Sequence, residues 1–203
     1  MKKTILNKAN ELFLNFGFKT ITMDDISKSL GISKKTLYIH FLCKDEIVQA
    51  SAKDILEKTF KKISNNIKTS KNPIEEFYLR KLTAMKYLNL PKKIHSFYQL
   101  QKYYPKIHEK IKSIEYEKFS IQIKKNLIKG KKLGVFRKKI DVDFLTKLYL
   151  TGMSNIRDFK IFPPEDYNLN DLIENYLEYH LRAIVTQKGL EILNSNTLKK
   201  INI

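Results

Sequence analysis

Apolar residues recur at helical spacing along almost the whole chain, and no run alternates between apolar and polar residues as a half-buried β-strand does. In the first segment these residues fall at positions i, i+4, i+7, i+8 and i+11, which are Ile5, Ala9, Leu12, Phe13 and Phe16. Glycine, proline and capping residues divide the chain into about nine such segments. The sequence therefore predicts an all-α fold.

Three short helices are predicted at the start of the chain. Gly17 ends the first, in the position where a left-handed residue is expected. Thr22 caps a second helix that Gly31 ends, and Ser33 caps a third over residues 34–41. Two short helices joined by a glycine-containing turn form a helix-turn-helix pattern, here supported by the helix that precedes it.

Prolines mark the later helices. A fourth helix is predicted from Asp45 to about residue 63, and Pro73 begins another that Pro91 ends. The remaining predicted helices cover about residues 105–129, 141–158 and 170–188. Together they form a second helical region that is larger than the first.

The formal charge of this 203-residue chain is +18, but it is unevenly distributed. Residues 61–140 carry 22 Lys and Arg against 5 Asp and Glu, whereas residues 1–60 have a balance of +3 and residues 141–203 a balance of −2. Only four basic residues are Arg, and the abundance of Lys, Ile and Asn is typical of an A·T-rich coding bias. The total charge alone does not establish DNA binding, because net charge bears on non-specific association.

Simple counts exclude several classes of protein. One cysteine, Cys43, excludes an internal disulfide and a multi-cysteine metal site; beside Lys44 it is either a redox-sensitive thiol or an incidental substitution. No run approaches 18 apolar residues, and Asn7, Lys8 and Glu11 interrupt any signal-peptide core. Since no catalytic constellation is present either, we expect a cytoplasmic protein that is not an enzyme.

The amino-acid sequence of residues 5–47 strengthens the helix-turn-helix prediction. The residues concerned are Ile5, Ala9, Leu12, Phe13, Gly17, Thr22, Ile26, Leu30, Gly31, Ile32, Ser33, Thr36, Leu37, Tyr38, Ile39, His40, Phe41, Lys44, Asp45, Glu46 and Ile47. They closely resemble the DNA-binding domain of the TetR family of bacterial transcriptional regulators, and the rest of the chain matches that family in layout only. The resemblance implies a helix-turn-helix domain in residues 1–46 and an effector-binding, dimerising helical domain in residues 47–203. It also implies a homodimer on palindromic double-stranded DNA, and hence association with the bacterial nucleoid.

Candidate DNA contacts lie in and around the second and third helices. They are Thr22, Ser33, Lys34, Lys35, Thr36, Tyr38, His40 and Lys44. The first residues of a recognition helix lie nearest the base edges, where lysine contacts guanine or phosphate and threonine contacts either. Tyr38, His40 and Lys44 match positions at which the family contacts the DNA backbone. The alternatives are that the lysines are merely solvated, that Tyr38 covers the core, and that His40 is buried or caps a helix.

Two later helices carry apolar stripes that the resemblance assigns to the homodimer interface. The candidate interface residues are Leu145, Leu148, Tyr149, Gly152, Tyr176, Leu177, Leu181 and Ile184. Gly152 would allow the close approach of a neighbouring helix backbone. Internal packing is the competing explanation, because each helix needs a buried face in any case.

Aromatic residues gather between positions 77 and 136, and such residues suit an apolar ligand held by a few hydrogen bonds. The candidate pocket residues are Phe77, Met85, Phe97, Tyr98, Tyr116, Phe119 and Ile123. The helix beside them carries two opposed apolar stripes, and Lys118 and Lys125 interrupt one of them, which suggests a ligand with a negative group. The alternative is that these rings are simply the core of the second domain.

The residues and the resemblance together predict a ligand-responsive, sequence-specific transcriptional regulator, usually a repressor, with no cofactor, no metal and no membrane partner. Two alternatives stay open. One is a DNA-binding factor that does not sense a ligand. The other is a helical carrier or enzyme for an anionic lipid or acyl thioester, which would use the basic middle of the chain. Sequence-specific DNA binding would distinguish the predicted regulator from the carrier or enzyme. Release of the DNA by a ligand would distinguish it from a DNA-binding factor without ligand sensing.

Overall fold

The computed structural model describes residues 1–88 and 90–195, which contain ten α-helices. In chain order they are α1 (Lys2–Phe16), α2 (Met23–Leu30), α3 (Lys34–His40), α4 (Lys44–Asn66), α5 (Pro73–Leu88), α6 (Leu90–Tyr103), α7 (Pro105–Lys132), α8 (Val142–Asn155), α9 (Leu169–Ile184) and α10 (Gln187–Leu193). A 3₁₀ turn, Ile67–Thr69, follows α4, and an isolated β-bridge joins Phe136 to Val185. The predicted all-α fold is confirmed.

The helix boundaries differ from the prediction in two places. The last predicted helix is in fact two, because α9 ends at Ile184 and the Thr186 hydroxyl then caps α10 by accepting a hydrogen bond from the Gly189 N–H at 3.2 Å. Pro91 was predicted to end a helix, but it lies in the first turn of α6, a helix that was not predicted; at this position its missing N–H removes no helical hydrogen bond. Residue 89 lies outside the described residues, and so do residues 196–203, which form the end of the predicted second domain.

The helices pack into two compact units. Unit 1 comprises residues 1–58 and 92–113, and unit 2 comprises the described parts of residues 59–91 and 114–203. This division describes packing, whereas the division after residue 46 concerns function and stays a prediction. Within the described chain, none of the helices has both the length and the apolar character needed to cross a membrane.

Unit 1 is organised around apolar side chains of its first three helices. Phe13 of α1, Ile26 of α2 and Leu37 of α3 are completely buried. Phe18, which follows α1, stacks on Phe13 with the ring centroids 5.0 Å apart. Phe41, one turn after Leu37, is also buried.

The segment after α1 is attached to α6. The Ser96 hydroxyl donates to the Leu14 carbonyl at 2.9 Å, and the Gln99 side-chain oxygen accepts from the Lys19 N–H at 2.8 Å. Gly17 lies between these contacts with a φ of 98°, and a Cβ added to it would clash with the Gln99 amide. Gly17 therefore serves both a backbone conformation that L-residues avoid and a close approach.

The core of unit 2 is formed mainly by α5, α7, α8 and α9. Its buried members are Ile74, Phe77, Tyr78, Ile123, Leu127, Val135, Phe136, Ile140, Tyr149, Leu177, Leu181, Ile184 and Leu193. Helix α7 contributes one face, since Ile123 and Leu127 are buried while Ile121 and Ile128 are 60% and 44% exposed. The opposed stripe is exposed at these two positions, whereas its earlier members Ile107, Ile111 and Ile114 are half-buried.

Gly130 of α7 meets the completely buried ring of Phe136, and a Cβ added at Gly130 would clash with that ring. Gly130→Ala should therefore lower the free energy of unfolding by about 1–3 kcal/mol through overpacking. The expectation is opposite to the usual gain of about 1 kcal/mol when alanine replaces glycine inside a helix. Urea unfolding followed by circular dichroism measures the change. In the Gly130→Ala variant, Phe136→Leu should make room for the added methyl group and restore part of the lost stability. If the losses of the two substitutions simply add, the steric explanation is wrong.

Candidate nucleic-acid interface

Helix α2 begins with a reciprocal pair of hydrogen bonds between Thr22 and Asp25. The Thr22 hydroxyl accepts from the Asp25 N–H at 3.2 Å, and the Asp25 carboxylate accepts from the Thr22 N–H at 2.9 Å and from its hydroxyl at 2.7 Å. These bonds hold the pKa of the Asp25 carboxyl below its usual range. The cap predicted at Thr22 is confirmed. Both donors that Thr22 could offer to a phosphate point to Asp25, so a phosphate contact requires them to change partner.

Gly31 and Ser33 shape the turn between α2 and α3. Gly31 is left-handed, with φ 64° and ψ 28°, and its N–H bonds back to the last turn of α2. The Ser33 hydroxyl oxygen accepts from the Thr36 N–H at 3.0 Å, and the two hydroxyls are 2.8 Å apart. Both predicted ends are confirmed, and they determine where the first turn of α3, with Lys34 and Lys35, begins.

Helix α3 has one buried side and one exposed side. Leu37 is completely buried, whereas Lys34, Lys35 and Tyr38 are exposed. Tyr38 keeps 44% of its surface exposed, and the rest of it is covered by neighbouring residues. His40 is half-buried. The helix thus places three of the candidate DNA contacts in solvent on its first turns, while their role in binding DNA stays a prediction.

The Asp24 carboxylate forms ion pairs with Lys34 and Lys28. The Lys34 ammonium lies 3.1 Å from one Asp24 carboxylate oxygen, and the Lys28 ammonium lies 3.0 Å from the other. Hydrogen bonds from Lys28 and then Lys34 hold the pKa of the Asp24 carboxyl below its usual range. A carboxylate at this position competes with any phosphate for the two lysines. This role of Asp24 was not predicted, although the residue is recognisable as the acid four positions before Lys28.

Lys44, predicted to contact phosphate, has partners within unit 1. Its ammonium donates to the Lys19 carbonyl at 2.7 Å and lies 5.9 Å from the centre of the Tyr104 ring. Burial, and to a lesser degree the charge of Lys19, lowers the pKa of Lys44. This half-buried lysine therefore holds the segment after α1, and a phosphate would have to replace or share its carbonyl partner.

The residues between α3 and α4 are strongly exposed. Leu42 is 81% exposed, Cys43 is exposed with a free thiol, and Ile39 of α3 is 71% exposed. The Leu42 N–H donates to the carboxylate of Glu46 in the first turn of α4 at 2.7 Å. This bond stabilises the start of the helix, where Cys43 provides no side-chain cap. The exposure of Ile39 and Leu42 was not predicted. Ile39 could have been identified, because it lies two residues after the buried Leu37 and so on another side of the helix.

The predicted effector-pocket residues do not gather in one cluster within either unit. Phe97 and Tyr98 are half-buried in unit 1. The others belong to unit 2, where Phe77, Phe119 and Ile123 are buried, Met85 is half-buried and Tyr116 is 38% exposed. The buried three have neighbours already, for example Phe60 edge-on to Phe119 at 5.1 Å. An effector site at these residues stays a prediction.

Four of the predicted interface residues belong to the core of unit 2, in agreement with the alternative of internal packing. These are Tyr149, Leu177, Leu181 and Ile184. Gly152 accommodates Tyr176 of the same chain rather than another backbone, since an added Cβ would clash with the Tyr176 ring. The Tyr176 hydroxyl donates to the Leu148 carbonyl at 2.9 Å. These contacts join α8 to α9.

The remaining predicted interface residues are accessible to different degrees. Leu145 is half-buried, whereas Leu148 is 47% exposed. Two apolar residues that were not predicted are more exposed: Phe144, one turn before Leu148, at 58%, and Tyr179, one turn after Tyr176, at 71%. Their positions on the stripes of α8 and α9 could have been read from the i, i+4 and i, i+3 spacing. Within the described residues, no group of three or more His, Cys, Asp or Glu is placed to hold a metal ion.

Comparison with known proteins gives matches of two kinds. Residues 5–51 match the family model described as bacterial regulatory proteins, tetR family. The chain is 43% identical over 54 residues to the biofilm operon icaADBC HTH-type negative transcriptional regulator IcaR of Staphylococcus epidermidis. That match covers 27% of this chain and 29% of the relative, so the chain spans less than a third of the length of that protein.

Several solved structures share the fold over most of the chain. SmeT, the repressor of the Stenotrophomonas maltophilia multidrug efflux pump SmeDEF, aligns with a TM-score of 0.70 at 15% identity, covering 92% of this chain and 91% of SmeT. SmeT is also known as a complex with triclosan. A transcriptional regulator from Saccharomonospora viridis in complex with choline aligns with a TM-score of 0.70 at 20% identity, covering 92% and 98% of the two chains. At these identities the likeness concerns the fold.

The capping box generates a prediction about stability. Thr22→Ala removes the hydroxyl that accepts the Asp25 N–H, and it should lower the free energy of unfolding by about 1 kcal/mol. Thr22→Ser keeps the hydroxyl and is the matched control, with a loss well below that of alanine. Both are measured by chemical unfolding followed by circular dichroism. Equal losses for alanine and serine would show that the hydroxyl does not stabilise α2.

Proposed function

We propose that this chain, a member of the TetR family of bacterial regulatory proteins through residues 5–51, is a transcriptional repressor that binds a palindromic DNA operator as a homodimer. A small apolar or amphipathic effector releases the DNA, and the protein acts in the bacterial cytoplasm. The observation that carries the proposal is helix α3, which is capped by Ser33, buries Leu37 and exposes Lys34, Lys35 and Tyr38.

In this proposal the first turn of α3 enters the major groove. Lys34 and Lys35 stand there, and an ammonium group donates to guanine acceptors or to phosphate oxygens. The paired hydroxyls of Ser33 and Thr36 are 2.8 Å apart and can rotate towards DNA groups. Tyr38, one turn further on, is placed for the sugar–phosphate backbone, which positions a protein on DNA without specifying sequence.

Binding requires an exchange of partners at Asp24. Lys34 and Lys28 both contact its carboxylate in the free protein, and phosphates would take over those lysines. Each phosphate that a lysine neutralises releases condensed counterions, so the affinity should fall steeply with salt concentration. The exposed ion pairs at Asp24 oppose this exchange weakly, because solvent screens them.

The first test of the proposal concerns Lys34. Lys34→Ala should weaken binding to DNA from the flanking genomic region by about 1–3 kcal/mol if the side chain reads a guanine, and should reduce the preference for that base. Fluorescence anisotropy at several salt concentrations measures both effects. Lys129→Ala removes the same charge from an exposed position of α7 and is the matched control. Equal losses for the two variants would exclude a base contact by Lys34.

Dimerisation is proposed through the exposed apolar residues of α8 and α9. Phe144 and Leu148 lie one turn apart on α8, and Tyr179 lies one turn after Tyr176, whose hydroxyl reaches the Leu148 carbonyl. Exposed apolar residues that adjoin one another favour an interaction surface. A homodimer carries two copies of α3, which suits the two half-sites of a palindromic operator, about 34 Å apart on B-DNA.

The second test concerns this surface. Leu148→Glu should turn a dimer into a monomer at micromolar concentration, because it places two charges in the apolar contact of a two-fold interface. Multi-angle light scattering measures the mass, and circular dichroism checks the fold. Ile121→Glu, at a position of α7 that is 60% exposed, is the matched control and should leave the dimer intact. A wild-type monomer, or a dimer that Leu148→Glu does not affect, would refute the proposed interface.

A DNA-binding factor without ligand sensing is the second candidate. The burial of Phe77, Phe119 and Ile123 in unit 2 favours it, because these predicted pocket residues already have packing partners. The SmeT complex with triclosan and the Saccharomonospora viridis complex with choline favour the sensing proposal. A compound that binds the free protein and lowers its affinity for DNA supports a sensor. Coupling free energies of this kind are typically about 1–3 kcal/mol.

A further inference from the structure

Arg80 of α5 is a buried guanidinium held from one side. The residue is 7% exposed, and its Nη1 donates to the Gln122 side-chain oxygen at 2.7 Å. The Gln122 amide in turn donates to the Ser64 hydroxyl at 2.6 Å. The guanidinium also lies 5.4 Å from the centre of the Phe119 ring, within range of a cation–π contact. Residues of two other helices, Gln122 and Phe119 of α7 and, through Gln122, Ser64 of α4, thus hold this side chain in place.

The other edge of the same guanidinium is incomplete. Within the described residues, Nε and Nη2 of Arg80 are buried and make no hydrogen bond. The Glu76 carboxylate lies 3.5 Å from Nη2, an ion-pair distance that is too long for a charge-assisted hydrogen bond. The N–H groups of Nε and Nη2 point in parallel, and this pair matches the two oxygens of a carboxylate.

Such an arrangement is costly for the folded protein. A buried charge is stable only when it is paired and hydrogen-bonded. A buried donor without an acceptor has lost its hydrogen bonds to water and has gained none within the protein. Burial accordingly lowers the pKa of Arg80. Glu76 supplies the nearest opposite charge, and its side chain is 12% exposed. An incoming acceptor must therefore displace Glu76 from Nη2, and in these buried surroundings a bond to both Nε and Nη2 is stronger than it would be at the surface.

The surroundings indicate what kind of molecule would bring that acceptor. Tyr149 is 4% exposed and close enough for the charge of Arg80 to oppose the rise of its pKa to about 12, which burial causes. The rings of Phe77 and His180 lie 5.0 and 4.8 Å from that of Tyr149. His180 Nε2 is buried and also without a hydrogen bond among the described residues, and burial lowers the pKa of His180 to about 4, so it is neutral. The neighbourhood is aromatic, and besides Arg80 it contains Arg157, which is paired with Glu115 at 2.9 Å.

We propose that Arg80 binds the carboxylate of a small aromatic or aliphatic acid through Nε and Nη2, and that Glu76 occupies this place in the ligand-free protein. The inference rests on the ligand-sensing part of the proposed function and names the chemical class of the effector. One guanidinium balances one negative charge once Glu76 has moved away, which favours a monocarboxylate over a phosphate ester with two charges. The predicted anion-binding residue Lys125 is exposed and is not part of this cluster.

The test uses the full chain without DNA and compares acids with their amides. Benzoate, phenylacetate and octanoate are titrated by calorimetry beside benzamide, phenylacetamide and octanamide, which have similar shapes and no charge. We expect at least one acid to bind about tenfold or more tightly than its amide, as a charged hydrogen-bonded pair implies. If no acid binds better than its amide, the proposal is wrong.

Two variants test the residues with effects of opposite sign. Arg80→Lys keeps the charge and removes the parallel donors, so the affinity for the acid should fall about tenfold or more. Glu76→Gln removes the competing carboxylate, so the affinity should rise, although the unpaired Arg80 makes the fold less stable. A general loss of structure cannot produce both signs. Lys125→Gln is the control and should leave the affinity unchanged. Undiminished binding in Arg80→Lys, or reduced binding in Glu76→Gln, would overturn the assignment.

The carboxylate site and the repressor function can each fail without the other. If the protein binds DNA specifically and no acid binds better than its amide, the repressor proposal stands and the carboxylate site is excluded. If the acids bind through Arg80 and no specific DNA is found, the site stands and the repressor proposal falls. Anisotropy with operator DNA, with and without the bound acid, separates these cases.

Discussion

The burial of Leu37 is the constraint on which the candidate interface depends. This side chain has no exposed surface and packs in the core that Phe13 and Ile26 help to form. Because the side of α3 that carries Leu37 must face inwards, Lys34, Lys35 and Tyr38 are directed to solvent. The caps at Thr22 and Ser33 then determine where α2 and α3 begin. Apolar packing thus orients the helix, and short polar contacts set its register.

Much of the first unit could be predicted because its signals are local. A capping threonine or serine, a left-handed glycine and an i, i+4 apolar pair each act within about one turn of helix. Thr22 and Ser33 accordingly cap α2 and α3 as predicted, and Gly31 ends α2. The partners of exposed charged groups were not predictable in this way. Lys44 finds the carbonyl of Lys19 and the ring of Tyr104 across large separations in sequence.

The second unit shows the limit of reasoning from periodicity. An apolar stripe states that a helix has a buried face, but the same stripe serves an internal core or an interface equally well. Leu177 and Leu181 turned out to be core residues, while Phe144 and Tyr179 on the same two helices remained exposed. Arg80 was not singled out either, since a single arginine on α5 reads as a surface residue. Only its surroundings, with Gln122 and Phe119, reveal a buried guanidinium.

The contact between Gly17 and Gln99 links two positions that are far apart in the chain. Gly17 has a positive φ and no room for a Cβ against the Gln99 amide, which itself accepts a hydrogen bond from Lys19. A larger residue at position 17 would push the Gln99 amide aside, and the Lys19 N–H would then lose its acceptor. The two positions are therefore coupled: a side chain is tolerated at position 17 only if Gln99 moves and the Lys19 N–H finds another acceptor.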